Sequence, residues 1–260
     1  MAAPQPAILV QPLVVAREVL PGEDLAGLAL DSLEAAGFVP AAGDILAVSQ
    51  KIVSKAEGRW RSFASVEPSR QALALAELTR KDPRLVELVL AESSAVLRAV
   101  PGVLIVRHRL GFVLANAGID QSNVGPRAEP GALLLPSDPD ASAAGLRAAL
   151  QQKAGWAPAV LICDSFGRAW RRGVVGTAIG SAGLACLEDQ RGRSDRDGRL
   201  LQVTEVARAD ALAAMAGLAM GEGSEGCPLA LIRGLVAVPK GSVPQPAGVL
   251  VRPIEEDLFP

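Results

Sequence analysis

Several segments of this 260-residue chain carry side chains whose types and spacing suit chemistry on phosphates. In ANAGIDQSN, Asp120 and Asn123 stand on a glycine-led loop just past an apolar run. In ICDSFGRAWRRG, Asp164 and Ser165 end a continuous apolar run and precede Arg168, Arg171 and Arg172. Carboxylates so placed fix a hard cation through oxygen, while guanidinium groups neutralise phosphate or carboxylate oxygens bidentately. SQKIVSKAEGR carries Lys51 and Lys55 after a strand, where ammonium groups cradle phosphates as point charges. GEGSEG, at 221–226, offers backbone N–H groups to a phosphate, with Glu222 and Glu225 beside them as cation ligands. Each segment alone has a plainer reading. Either aspartate is then a turn or cap residue, the lysines are solvated strand-end charges, and Gly221 is a left-handed helix cap.

Other chemistries are excluded by motif and count. GEGSEG matches G-x-G-x-x-G letter for letter, but a dinucleotide-binding turn follows a strand and opens a helix. Here a helical pattern precedes it and the apolar strand PLALIRGL follows. No P-loop sequence is present. His108 is the only histidine, which rules out a histidine zinc site and leaves any Ser-His-Asp triad resting on that one residue. Between Arg107 and Arg109 it reads as a solvated or strand-edge residue. A metal here must take oxygen ligands, which points to magnesium, manganese or calcium.

Cys163, Cys186 and Cys227 are odd in number, widely spaced and flanked by apolar residues, so they read as buried small hydrophobes in a reducing cytoplasm. A net charge of −2 without a basic block argues against nucleic-acid and anionic-membrane partners. Aromatic content of 3% without tyrosine leaves little for stacking on single strands. The N-terminus lacks a basic segment before its apolar run, which Pro12 and Arg17 break, so neither a signal peptide nor an anchor is expected.

The elements that must position these residues follow from periodicity and punctuation. AILVQPLVVAREVL reads as a strand with an irregular exit, and Pro21-Gly22 as a turn. Glu23 and Asp24 then cap a helix bearing Leu25, Leu28 and Leu33. After a turn at Gly43-Asp44, ILAVSQKIVS is a β-rich run. Residues 69–80 are helical, and Asp82-Pro83 starts another helix to about Leu90. VLIVRHRLGFVLANAG is a hairpin turning near Leu110-Gly111, and 120–131 is polar. LLLPSDPDASAAGLRAALQQ gives a short apolar piece, a turn and a helix. APAVLICD is a buried strand ending at Asp164. Residues 188–199 form a charged loop, ADALAAMAGLAM a helix and PLALIRGL a closing strand. Without regular alternation the expected fold is α+β, with mixed or antiparallel sheets and flanking helices, in a single catalytic unit over 1–260.

Read from the residues alone, this is an oxygen-ligand metal enzyme acting on phosphorylated substrates, and the reaction stays open. The pieces LPGEDLAGL, GDILAVSQKIVSKAEGR, KDPRLVELVLAES, GFVLANAGIDQSNV, LLLPSDPDASAAGLR, CDSFGRAWRRGVVGTAIG, RGRSDRDGRLLQVTEVARADALA and MGEGSEGCPLALIRG together resemble the coenzyme F420-0:L-glutamate ligase family, in its order and over nearly the whole chain. The resemblance implies GTP-dependent amide formation between L-glutamate and the deazaflavin coenzyme F420-0. It also implies two divalent ions, Mg²⁺ or Mn²⁺, often a monovalent ion such as potassium, and an intertwined homodimer in the cytoplasm.

Carried over residue by residue, the first metal position falls on Asp120 and Asp164, and the second on Ser165 and Glu222. The guanine-nucleotide positions fall on Gln50, Lys51, Lys55 and Asn123. They continue over Met220, Gly221, Gly223, Ser224, Glu225, Gly226 and Cys227. Arg168 joins Asp120 and Asp164 as an expected catalytic group. Two departures stand out. An early nucleotide segment, usually Gly-hydrophobic-Pro-hydrophobic, aligns with Val15, Ala16, Arg17 and Glu18, and Glu222 stands where many members have glutamine. Some members carry a C-terminal nitroreductase-like domain, which is not expected within these 260 residues. A deazaflavin- or nucleotide-binding oxidoreductase, a metal-dependent phosphohydrolase and a non-catalytic binding module are the rival classes.

Overall fold

The computed structural model describes residues 7–125 and 129–257. The first six residues of the N-terminal segment and residues 126–128 of the polar segment lie outside them. In chain order the elements are β1 (Leu9–Leu13), α1 (Leu25–Ala35), β2 (Ile45–Ser49), α2 (Gln50–Ala56), β3 (Trp60–Ser62), α3 (Arg70–Thr79), α4 (Pro83–Ala91), β4 (Ser93–Val100), β5 (Val103–His108) and β6 (Val113–Ala115). They continue with β7 (Gly131–Leu133), α5 (Pro139–Ala154), β8 (Ala159–Arg168), β9 (Arg171–Ala182), β10 (Leu187–Asp189), β11 (Glu205–Ala207), α6 (Arg208–Met220) and β12 (Leu229–Arg233). The fold is α+β, with mixed and antiparallel sheets.

The main sheet runs β1-β12-β2-β8-β9, and only its β2–β8 pair is parallel. Strand alternation sends Leu46, Val48, Val160 and Ile162 into one core with Leu28 and Leu33 of α1 and Leu146 and Leu150 of α5. Ile45, Ala47, Leu161 and Cys163 enter the opposite core with Leu212, Ala213 and Ala216 of α6. Burial on both faces is why β2, β8 and β12 carry continuous apolar runs. Leu161 is fully buried, so Leu161→Ala should cost roughly 2–5 kcal/mol. A third core joins Leu85, Val86 and Val89 of α4 to Leu104 and Val106 of β5.

The helix starts follow their caps. Asp24 accepts a hydrogen bond from the Gly27 N–H, Asp82 from Arg84 ahead of Pro83 in the first turn, and Asp138 from Ala141. PLALIRGL forms β12, which lies inside the sheet between β1 and β2. Among the described residues no helix is long and apolar enough to cross a membrane.

Other expectations need correction. ILAVSQKIVS is not one β-rich run: Ser49 ends β2 and caps α2, its Oγ accepting from the Lys51 N–H at 3.4 Å. Lys51 and Lys55 therefore stand one turn apart on a helix instead of at a strand end. The strand through APAVLICD does not stop at Asp164 but continues to Arg168, turns at Ala169 and Trp170, and returns as β9. The 188–199 loop lies within a small hairpin, with β10 paired to β11 and Ser194 bridged to Leu200. His108 is fully buried, not solvated, because Glu92 supplies an acidic partner 3.5 Å from its Nε2. Cys163 and Cys186 are buried as expected, whereas Cys227 is only half-buried.

Candidate active site

Asp164 owes its position to a change in strand pairing. Ser49, the last residue of β2, pairs with Cys163, so Asp164 is the first β8 residue beyond the end of its parallel neighbour. A register shift between Ile162 and Cys163 in the β8–β9 ladder marks a bulge, which turns the strand just before the acid. The carboxyl end of a parallel strand is where sheets of this kind open a ligand crevice. On the neighbouring strand Gly176 pairs with Ser165, and a Cβ there would lie 2.2 Å from the Ala213 carbonyl oxygen. Only glycine lets α6 lie this close, and the C-terminus of α6 delivers the glycine-rich turn to the site. The Ser165 Oγ donates to Glu222 Oε1 on that turn.

Asp120 arrives from the other side of the cleft. Asn116, Ala117 and Gly118 all have left-handed backbone, with φ of 50°, 55° and 67°. They turn the chain sharply out of β6. Asp120 is then pinned by paired backbone hydrogen bonds with Leu133, at 2.9 and 2.8 Å. Its Oδ2 accepts from Gln50 Nε2 at 2.8 Å, and the Gln50 Oε1 accepts from Ser54 Oγ at 3.0 Å. Lys51 Nζ lies 3.6 Å from Oδ1. Asn123, itself at φ 54°, donates from Nδ2 to the Gly223 carbonyl at 2.9 Å, which ties this loop to the glycine-rich turn.

A cleft of about 590 Å³ lies between these parts. Lys51, Lys55, Asp120, Asn123, Asp164 and Ser165 line it, with Met220, Gly221, Glu222, Gly223, Ser224, Glu225, Gly226 and Cys227 along one wall. Gln50 does not line it; it is buried behind Asp120 and serves that carboxylate. Arg168 is not brought in either, because β8 carries it out to the exposed hairpin tip. Glu225 folds back on its own turn, Oε2 accepting from the Gly223 N–H at 2.8 Å. Gly221 does cap α6, but at φ 76° and ψ 170°, outside the helical left-handed conformation expected of it, and it also lines the wall.

The sequence reading did not foresee Glu18 in the cleft. Its carboxylate lies 2.8 Å from Lys55 Nζ, under Gly125, where a Cβ would fall 2.1 Å from Glu18 Oε1. The residues at 15–18 depart from the family pattern, yet Val15, Arg17 and Glu18 line the cleft. The family alignment had put a nucleotide segment at 15–18, but its departure from the usual pattern gave Glu18 itself no role.

The electrostatics are unbalanced toward negative charge. Burial first, and then the charge of Asp120, pushes the Asp164 carboxyl up to about 7. Burial likewise raises Asp120, opposed in part by Lys51. Burial also pushes the Cys163 thiol up, so no thiolate nucleophile stands beside Asp164. Among the described residues no three acidic, histidine or cysteine side chains form a ready metal cage. The donors instead fall into oxygen pairs, Asp120 with Asp164 and Ser165 with Glu222. Such pairs suit a hard cation that completes its shell with water and substrate phosphate oxygens.

Comparison with known proteins places the chain in a family. A family model described as F420-0:Gamma-glutamyl ligase matches residues 14–234. The coenzyme F420:L-glutamate ligase of Methanopyrus kandleri is 43% identical over 256 residues, 98% of either chain. That of Methanothermobacter thermautotrophicus is 45% identical over 240 residues, covering 92% of this chain and 93% of its own. The Haloarcula marismortui protein of the same name is 42% identical over 83% of each chain. The family match spans both walls of the cleft and every strand of the main sheet but β1, and with relatives of this identity and coverage the chain is accordingly a ligase of the F420-0:gamma-glutamyl ligase family.

Proposed function

We propose that the protein joins L-glutamate to the terminal carboxylate of F420-0, with GTP as phosphoryl donor and an acyl phosphate as intermediate. A carboxylate and an amine do not condense in neutral water without activation. Phosphorylation of the coenzyme carboxylate supplies a leaving group, the glutamate amine attacks the carbonyl carbon, and phosphate departs as the amide forms. No protein nucleophile is needed, which accords with a raised Cys163 thiol and a single histidine held elsewhere.

One observation carries this reading: Asp120, Asp164 and Glu222 share a cleft with Lys51 and Lys55 and the glycine-rich turn. Asp120 and Asp164 are the ligands for a first divalent cation, and Ser165 and Glu222 for a second. Divalent cations bound there supply neutralisation and alignment of phosphate oxygens. Lys51 and Lys55 hold the phosphates from the helix side. Lys55 meets them only as it leaves Glu18, 2.8 Å away. Main-chain groups of residues 220–227 close over the nucleotide. Potassium and the homodimeric assembly belong to the same proposal and rest on the family resemblance.

The experiment is mass spectrometry of the deazaflavin after incubation with GTP, Mn²⁺ and L-glutamate, each omitted in turn. A glutamyl-sized mass gain that needs every component supports the proposal. Phosphate release that ignores glutamate, without a mass gain, would point to the phosphohydrolase.

A further inference from the structure

We infer that the tip of the β8–β9 hairpin is the docking platform for the acceptor coenzyme, with Trp170 stacking on its deazaflavin ring and Arg168, Arg171 and Arg172 holding its anionic groups. The inference rests on the reaction proposed above and adds where the acceptor binds. Trp170 is 91% exposed, and among the described residues it is the one exposed aromatic side chain. A large indole held in water contributes nothing to the core, whereas covering it with a second flat ring removes apolar area and adds stacking. Its φ of 62° lies in the left-handed region, which bulky residues seldom adopt. Such a conformation at a hairpin apex, away from any core, points to selection for what the side chain meets outside the fold.

The charges agree. Among the described residues Arg59, Arg109, Arg208 and Arg233 each have a carboxylate partner, but none of the three tip arginines does. The side chain of Arg168 makes one hydrogen bond, Nη2 to the Arg172 carbonyl at 3.4 Å. Three unpaired guanidinium groups on one short turn repel one another until an anion arrives.

Position completes the case. Val174, paired with Gly167, lines the cleft, so the tip begins at the cleft rim. From Ser165 to Arg168 the strand advances about 10 Å. A coenzyme whose carboxylate reacts beside Asp164 and Ser165 therefore lays its phosphate and ring along the hairpin. The helix side and the glycine-rich wall are left to the nucleotide.

The test compares Trp170→Ala and Trp170→Phe with the wild-type protein. With GTP and glutamate saturating, Trp170→Ala should raise the half-saturating deazaflavin concentration on the order of tenfold, the scale of one aromatic stack. Trp170→Phe should recover most of that loss, and half-saturation by GTP should not move. Titration with the deazaflavin alone should quench wild-type tryptophan emission, and the Phe variant, which keeps Trp60 and Trp156, should lose most of the quench. Unchanged deazaflavin half-saturation in the Ala variant, or an equal rise for deazaflavin and GTP, overturns the platform. Because the quench needs no turnover, it separates failure of the platform from failure of the proposed reaction: quenching without any glutamyl product would keep the platform and sink the reaction.

Discussion

Glu92 and Asp164 are both shielded from bulk water, and burial alone pushes both carboxyls up. Around Glu92 the fold answers with two cations and a histidine ring. Arg59 Nη2 donates to both its oxygens at 3.0 Å, Arg109 Nε donates at 3.1 Å, and the His108 Nε2 lies 3.5 Å away. The His108 Nδ1 accepts from the Leu110 N–H at 3.0 Å, which leaves the ring proton on Nε2, facing the acid. These groups outweigh burial and hold Glu92 at about 2. Around Asp164 the neighbours Asp120 and Glu222 carry its own sign, Lys51 offsets them only in part, and the carboxyl sits at about 7.

The difference separates two uses of a shielded acid. Glu92 is neutralised by the chain itself and joins the end of α4 to the β5–β6 turn. Through the Arg59 and Arg109 bonds to the carbonyls of Leu135 and Ser137, it also reaches the segment before α5. Asp164 is left in excess, a pattern that marks functional sites because something outside the chain must supply the missing positive charge.

The largest effect that would break this comparison is on stability. Glu92→Ala should destabilise the protein by about 4 kcal/mol in denaturant titration, because it strands the Arg59 charge away from water. A loss within the range of an ordinary surface substitution would show that the network is not structural. Next comes Asp164→Asn, which should keep or slightly raise stability yet lower turnover on the order of a hundredfold, about 2.7 kcal/mol of transition-state stabilisation. Near-normal turnover at saturating Mn²⁺ would remove Asp164 from the chemistry.

Lys55→Ala should mainly raise the half-saturating GTP concentration, losing roughly 1–3 kcal/mol of binding. The variant is best made together with Glu18→Gln, so that no carboxylate is stranded. Unchanged GTP affinity by calorimetry would make Lys55 a partner of Glu18 and nothing more.

The last effect is the pH dependence, and its two limbs have opposite sign. The folded value of Glu92, about 2, lies below its ordinary 4.5, so its contribution is present above pH 4.5 and lost as pH falls through about 2. The folded value of Asp164, about 7, lies above its ordinary 3.8, so its contribution is present below 3.8 and lost as pH rises through about 7. Thermal melts in chelator should therefore show an acid limb that Glu92→Gln removes and a limb near neutrality that Asp164→Asn removes. For the same reason Mn²⁺ affinity should rise as pH passes 7 and then level off.

Elements with local punctuation were legible in the sequence. Capping acids marked α1 and α4, a Pro/Asp turn marked the start of α5, and the continuous apolar run marked β8. The elements it hid are those shaped by close approach or by weak patterning. β9 carries glycine at 176 and 180, where Cβ atoms would meet the backbone of Ala213 and Pro139 at 2.2 and 2.3 Å, and those glycines erase the apolar alternation that announces a strand. β4 is an edge strand with register shifts and largely exposed side chains, so it has no apolar face to read. QKIVS has β-branched residues but starts at a capping serine, and the cap won.

At the site, Asp120 and Asp164 were legible because each follows an apolar run. Gln50 against Asp120 and Glu18 against Lys55 were not, since those contacts exist only once β2 pairs with β8 and the 15–18 segment folds back along the cleft. The outward course of Arg168 was equally hidden, because the strand was expected to end four residues earlier.

The central claim, that a charge-deficient cleft drives amide formation with GTP, is met most directly by one assay. Glutamyl product, GDP and phosphate are followed together while deazaflavin, glutamate, GTP and Mn²⁺ are each withheld. GDP and phosphate should appear in step with each new amide bond, and withholding deazaflavin or glutamate should stop net nucleotide cleavage. GTP cleavage that continues at full rate without glutamate, or a nicotinamide-dependent change at the deazaflavin chromophore with no glutamyl mass gain, would contradict it.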